Sequence, residues 1–189
     1  RSLYQGHALK FLTDRGITKY DIKKYKIGFC EDGLYQHRVI VPSHDENGIL
    51  NYFVGRSYME SGMKYKNPNV SKDVVGFDYH IAWSKPIVLC EGVFDAITIR
   101  RNAIPMFGKK PSKKLLMKIF QKRCKTIYIA LDDDARKEAY MLGEFFSDFG
   151  IDSKVVNLPK DKGFERMSAL IEQTLSSSFS DTIQAKLYG

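Results

Sequence analysis

Three stretches of this chain end in acids after an apolar run. Pro86-Ile87-Val88-Leu89-Cys90 stops at Glu91, Thr126 to Leu131 stops at Asp132-Asp133-Asp134, and Ser153 to Leu158 is followed, past Pro159, by Asp161. Asp95 lies four residues after Glu91, at the start of what reads as a helix. Carboxylates gathered on one edge repel one another unless a cation sits between them. Hard oxygen donors suit Mg²⁺ or Mn²⁺, which hold phosphates while keeping several waters. The chemistry implied is divalent-ion-assisted reaction at a phosphate. If the backbone stays extended beyond Leu131, the strand period of two points Asp132 and Asp134 the same way. Gly92 leaves room for close backbone approach beside Glu91. Asp133 is expected to be solvated. The reading requires Glu91 to lie within about 10 Å, one Debye length, of the Asp132/Asp134 pair.

The elements that would bring these acids together follow from periodicity. Residues 86–90 and 126–131 are continuous apolar runs, as in strands buried on both faces of a parallel sheet. Ile104 to Phe107 and Ser153 to Leu158 read as two further strands. Phe94 to Arg101, Ser112 to Gln121 and Ala135 to Phe149 read as the intervening helices, the last closed by Gly150. Strand and helix alternate four times, which predicts an α/β domain with a parallel sheet and helices on both faces. In such sheets ligands collect outside the carboxyl ends of the strands, where these acids fall.

Before residue 84 the pattern differs. Residues 7–14 and 18–25 read as short helices, the second capped by Thr18 with Asp21 in its first turn. Residues 26–30 read as a short strand, and 37–42 and 49–57 as a hairpin around Asp45-Glu46-Asn47-Gly48. Residues 58–78 read as a polar, lysine-bearing loop. The expected organisation is a small mixed α+β basic lobe over 1–84, the α/β domain over 85–172, and a helical or polar tail over 173–189.

With 189 residues, 43% hydrophobic and 28% charged, a packed core is expected rather than disorder. No apolar run is long enough to span a membrane and no secretory leader is visible; the abrupt opening at Arg1-Ser2-Leu3 suggests part of a longer protein. Cys30, Cys90 and Cys124 are too sparse for a disulfide framework or a zinc site, and free buried thiols fit a reducing, cytoplasmic compartment. The net charge of +8 favours an acidic partner. Lysines crowd into 64–72 and 109–125. Lys66, Lys109, Lys110, Lys113 and Lys114 divide evenly between function and plain surface, and Lys118, Lys122 and Arg123 are expected to face solvent. The histidines are scattered and expected to serve packing or surface. Tyr52, Phe53, Tyr58 and Tyr65, interleaved with Arg56 and Lys64, could stack on bases, with hairpin packing an equal explanation for the first two. The absence of a G-x-x-x-x-G-K-[ST] sequence excludes a P-loop motor.

Glu91-Gly92-Val93-Phe94-Asp95 after one buried strand, and Leu131-Asp132-Asp133-Asp134 after another, resembles the toprim domain of bacterial-type primases, type IA and II topoisomerases and several nucleases. Tyr25-Lys26-Ile27-Gly28-Phe29, Arg38-Val39-Ile40-Val41-Pro42, Val54-Gly55-Arg56-Ser57, Lys64-Tyr65-Lys66-Asn67-Pro68 and Phe107-Gly108 stand in the order of the DnaG-like primase core, over roughly residues 8–172. The resemblance implies a toprim (Rossmann-like) sheet and RNA-primer synthesis on single-stranded DNA from ribonucleoside triphosphates. It implies Mg²⁺ or Mn²⁺ as cofactor and a replicative helicase, fused or separate, as partner; a phage origin would put the chain in the host cytoplasm. Glu91, Asp132 and Asp134 would be the catalytic metal-binding carboxylates, with Asp95 and Asp161 supporting. Arg38, Arg56, Lys64, Lys66 and Lys72 would contact nucleotide or DNA. Two departures stand out: Pro159 to Glu165 displaces the second acid of the family's acid-Pro-x-acid segment, and no Cys/His set exists for the family's amino-terminal zinc module. A toprim nuclease and a degenerate nucleic-acid-binding module are the competing readings.

Overall fold

Apolar side chains alternate along the hairpin strands and run unbroken in the central strands of the second half, and these two patterns build two different sheets. The computed structural model describes residues 3–156, apart from Ser61. Helices α1 (Leu3–Thr13) and α2 (Lys19–Lys24) precede an antiparallel meander of β1 (Gly28–Cys30), β2 (Arg38–His44), β3 (Leu50–Ser57) and β4 (Tyr65–Lys66), in the order β1-β2-β3-β4. Thr18 caps α2 reciprocally with Asp21, the Asp21 N–H donating to Thr18 Oγ1 and the Thr18 N–H to Asp21 Oδ2. The hairpin turn is set by Asp45, whose Oδ1 accepts from the Asn47 and Ile49 N–H groups at 2.9 Å, and by Gly48 at φ 79°. β3 and β4 pair closely at Gly55, where a Cβ would meet Lys66 O at 2.4 Å.

The second half is a parallel sheet of β5 (Ile87–Cys90), β6 (Ala103–Pro105), β7 (Thr126–Ala130) and β8 (Asp152–Val155), ordered β6-β5-β7-β8. Helices α3 (Val93–Ile99), α4 (Lys113–Gln121) and α5 (Arg136–Asp148) make the crossovers. The chain leaves β5 toward β6 and leaves β7 the opposite way toward β8. Right-handed crossovers therefore place α3 on one face and α4 and α5 on the other. Burial agrees: Val88, Cys90, Tyr128 and Ala130 pack with α3, and Ile87, Leu89, Ile127 and Ile129 pack with α4 and α5. This is the expected α/β architecture with helices on both faces.

The two sheets share one core. Val39, Val41, Tyr52, Val54 and Phe77 of the first half are buried together with the α3 face of the second. Gly76 approaches so closely that a Cβ there would meet Pro105 O at 2.2 Å.

Several local expectations shift. β6 ends at Pro105 rather than Phe107, because Phe107 takes a left-handed backbone (φ 57°). The backbone after Leu131 does not stay extended: Asp133–Ala135 form a 3₁₀ turn. Phe120, which helical periodicity groups with Leu115, Leu116 and Ile119 on one face of α4, is exposed and packs edge-on to Phe145 and at a tilt to Phe149. Cys90 and Cys124 are buried, whereas Cys30 is half-buried. Lys118 does not face solvent. Its side chain is 12% exposed and pairs with Asp78 and Glu46, Asp78 also accepting from Trp83 Nε1 at 3.0 Å. Residues 157 and 158 of the expected fourth strand, Asp161 and the 173–189 tail lie outside the described residues. No helix among the described residues is long and apolar enough to cross a membrane.

Candidate metal centre and cationic cleft

β5 and β7 are neighbours whose crossovers diverge, so a crevice opens between their carboxyl ends. Cys90 pairs with Ala130, so Glu91, directly after the first strand, is level with Leu131, and Asp132 comes one residue further along the same rim. One oxygen from each of Glu91, Asp132 and Asp134 lies within 4.8 Å of the others. The turn after Leu131, not an extended strand, carries Asp134 back toward Asp132. An octahedral Mg²⁺ with oxygens at about 2.1 Å spans at most about 4.2 Å, so small side-chain rotations would close the set around one ion. The donor set is all carboxylate oxygen, which fits a hard divalent cation.

The site's electrostatics bear the same mark. Burial pushes the Glu91 carboxyl above the usual carboxylate range and the Asp132 charge adds to it, while the Asp132 backbone N–H, donating to Glu91 Oε1 at 3.3 Å, pulls the other way. Asp95 receives the Gly92 N–H at 3.1 Å and so caps α3. It lines the cleft without joining the three-acid cluster. Asp133 turns away and pairs with Arg136 Nη2 at 2.7 Å, so it is ion-paired rather than simply solvated.

The cleft beside Glu91 and Asp132 has a volume of about 420 Å³. Val54, Tyr65 and Asn67 of the first half form one wall, and Phe94, Asp95, Phe107 and Gly108 the other. Tyr52 is buried under the hairpin against Phe107, with ring centroids 4.7 Å apart, so its role is packing.

The basic residues take different places. Arg56 stacks over the Tyr65 ring at 4.4 Å and, with Lys64, lines a second recess of about 920 Å³ on the α1 side, joined there by Lys10 and Arg15 and by the acids Asp14 and Glu60. Tyr65 thus borders the acidic cleft and carries a cation of the neighbouring recess. Lys72 Nζ reaches Phe107 O at 3.4 Å, at the cleft's edge. Lys66 lies 5.9 Å from the centroid of the Tyr35 ring. Arg38 gives Nη1 to Gln36 O and Nη2 to Met63 O, fastening two loops together.

Two features had no clear sequence signal. Lys109 Nζ lies 2.8 Å from Asp134 Oδ2, on the acidic cluster itself, and that bond raises the Lys109 pKa. Arg15, at the end of α1, stacks its guanidinium on Phe11 at 3.7 Å and faces the second recess. A partner 25 residues away along the chain leaves no local pattern to read.

No family model matches the sequence. The uncharacterized protein MG010 of Mycoplasma genitalium is 27% identical over 164 residues, 80% of this chain and 74% of that protein. Among solved structures, the DnaG primase catalytic domain bound to ssDNA superposes with TM-score 0.74 at 18% identity, over 92% of this chain and 73% of that one. The Aquifex aeolicus primase (zinc binding and RNA polymerase domains) gives 0.70 at 20% identity, over 95% and 60%. The RNA polymerase domain of Mycobacterium tuberculosis primase DnaG gives 0.72 at 16% identity, over 91% and 76%. The chain has the fold of the DnaG-type primase catalytic core, with its toprim sheet.

Proposed function

We propose that this chain is the catalytic core of a DNA primase, joining ribonucleotides into short RNA primers on a single-stranded DNA template. The observation that carries the proposal is the convergence of Glu91, Asp132 and Asp134 to within 4.8 Å at the rim of a sheet with the primase fold. Residues 1–84 would serve as the basic lobe, 85–172 as the toprim domain and 173–189 as a tail. A replicative helicase, fused or separate, would deliver the template in the cytoplasm.

Glu91, Asp132 and Asp134 would hold Mg²⁺ or Mn²⁺, with Asp95, at the N-terminus of α3, and Asp161 in supporting roles. The ion, when bound, stabilises charge on the transferring phosphate and on the departing pyrophosphate. The chain's residues orient the reactants. Tyr65, Phe94 and Phe107 offer ring faces in the cleft for a base or sugar. Arg56 and Lys64 in the adjoining recess, with Lys66, Lys72 and Arg38, supply cations along the path of the phosphate backbone. No side-chain nucleophile is needed, because the primer's 3′-hydroxyl attacks.

The test is incubation of the chain with single-stranded DNA, labelled ribonucleotides and Mn²⁺. Short template-directed oligomers are expected, and Glu91→Gln and Asp132→Asn are expected to abolish them while leaving fold and DNA binding intact. Undiminished synthesis by both variants, or divalent-dependent cleavage with no incorporation, refutes the proposal; the second result selects a nuclease.

A further inference from the structure

The acidic rim carries a cation of its own. Lys109 follows a turn fastened to the strand end that bears Glu91: the Gly108 N–H donates to Glu91 O at 3.2 Å, and Lys72 Nζ donates to Phe107 O at 3.4 Å. From that turn Lys109 reaches Asp134 Oδ2 at 2.8 Å, and Asp134 in turn lies within 4.8 Å of the Glu91 and Asp132 oxygens. Both partners are open to water, the side chains being 39% and 74% exposed. A contact of this kind forms and breaks at little cost. Two cations cannot both sit on one small carboxylate cluster without repelling each other.

We propose that Lys109 is an internal competitor of the divalent ion, neutralising Asp134 while the ion is absent and yielding it when the ion binds. The affinity of the rim for free metal is thereby held down. Because the turn is tied to Glu91, the displaced ammonium stays at the mouth of the cleft rather than leaving the site. The inference rests on the reading of the three acids as a metal site.

The experiment is a Mn²⁺ titration of the full chain, followed by the electron paramagnetic resonance signal of free Mn²⁺. It compares wild type with Lys109→Gln, Lys109→Glu, Lys110→Gln and Glu91→Gln. A unit charge about 6 Å from a divalent ion in a water-like dielectric accounts for roughly one decade of affinity, less what salt and side-chain motion remove. Lys109→Gln is therefore expected to bind Mn²⁺ about three- to tenfold more tightly, and Lys109→Glu more tightly still. Lys110→Gln removes the same formal charge one residue away and is expected to stay within about twofold of wild type. Unchanged or weaker binding by both Lys109 variants overturns the proposal, as does an equal gain in Lys110→Gln. Loss of binding in Glu91→Gln without a gain at Lys109 removes only the competitor and leaves the metal site standing. Absence of Mn²⁺ binding in wild type, or wild-type binding by Glu91→Gln, removes both.

Discussion

Glu91→Gln should make the metal-free protein more stable while abolishing the proposed primer synthesis. Glu91 faces Asp132 and Asp134 with carboxylate oxygens within 4.8 Å. Each such pair of unit charges repels by about 0.9 kcal/mol in bulk water and about 3.5 kcal/mol at an effective dielectric of 20. Asp134 is 74% exposed and already compensated by Lys109, which puts the sum near the lower figure, about 1–2 kcal/mol. The substitution keeps an oxygen for the Asp132 N–H but weakens that bond by about 0.5 kcal/mol. A net gain of about 1 kcal/mol corresponds to about 2–4 °C in Tm for a chain of this size. The pH dependence follows from the raised Glu91 pKa. Protonated Glu91 repels neither neighbour, so its contribution to stability is complete below the ordinary carboxylate range and is lost as pH rises through the raised value. Thermal unfolding in EDTA should therefore show the variant ahead at pH 8, with its lead shrinking as pH falls toward the ordinary carboxylate range, about 4. Added Mg²⁺ should reverse the order at pH 8, because a ligand at a hundredfold excess over its Kd adds about 2.7 kcal/mol to the form that binds it. A variant less stable than wild type in EDTA at pH 8, or one stabilised equally by Mg²⁺, would refute the reasoning.

Two further predictions concern the packing that supports the rim. Lys118→Met leaves Asp78, 4% exposed, with its Trp83 bond but no cation; urea unfolding at pH 7 should register a loss of about 2–3 kcal/mol, mostly recovered in Lys118→Met/Asp78→Asn, and a single variant within about 0.5 kcal/mol of wild type would show the pair to be incidental. His80, packed against Tyr25, Phe77 and Tyr79, has its pKa lowered by burial from 6.5 to about 4, with nearby Lys24, His44 and Lys26 adding to the shift. It folds neutral, so stability should fall by about 2 kcal/mol, after discounting for partial exposure, as pH drops from about 6.5 toward 4; His80→Phe should lack that component, and identical acid profiles would exclude it.

The sheet that positions the acids was legible because each strand contributes its own signal. The runs at 87–90 and 126–130 are apolar on both faces and each ends in an acid. Adjacent parallel strands then have to bring those acids to one rim. The hairpin was legible for an equally local reason, the Asp45-to-Gly48 turn between alternating strands. What escaped was long-range. Lys109 meets a carboxylate 25 residues on, and Lys118 meets one 40 residues back. Lysines on a helix that looks solvated read alike whether or not another lobe covers them. The turn at Asp133 was missed because three successive acids look the same extended or coiled. Which cations face the acidic cleft and which the neighbouring recess depends on how the 58–78 segment folds back, and that segment has almost no periodic pattern of its own.

The continuity of the hydrophobic interior beneath the hairpin and α3 has a mechanical consequence. Val54 on one wall of the gap and Phe94 and Phe107 on the other belong to that same interior, so prising this part of the gap open would expose buried apolar surface. The half-exposed Tyr65 lies outside that interior and can adjust at less cost.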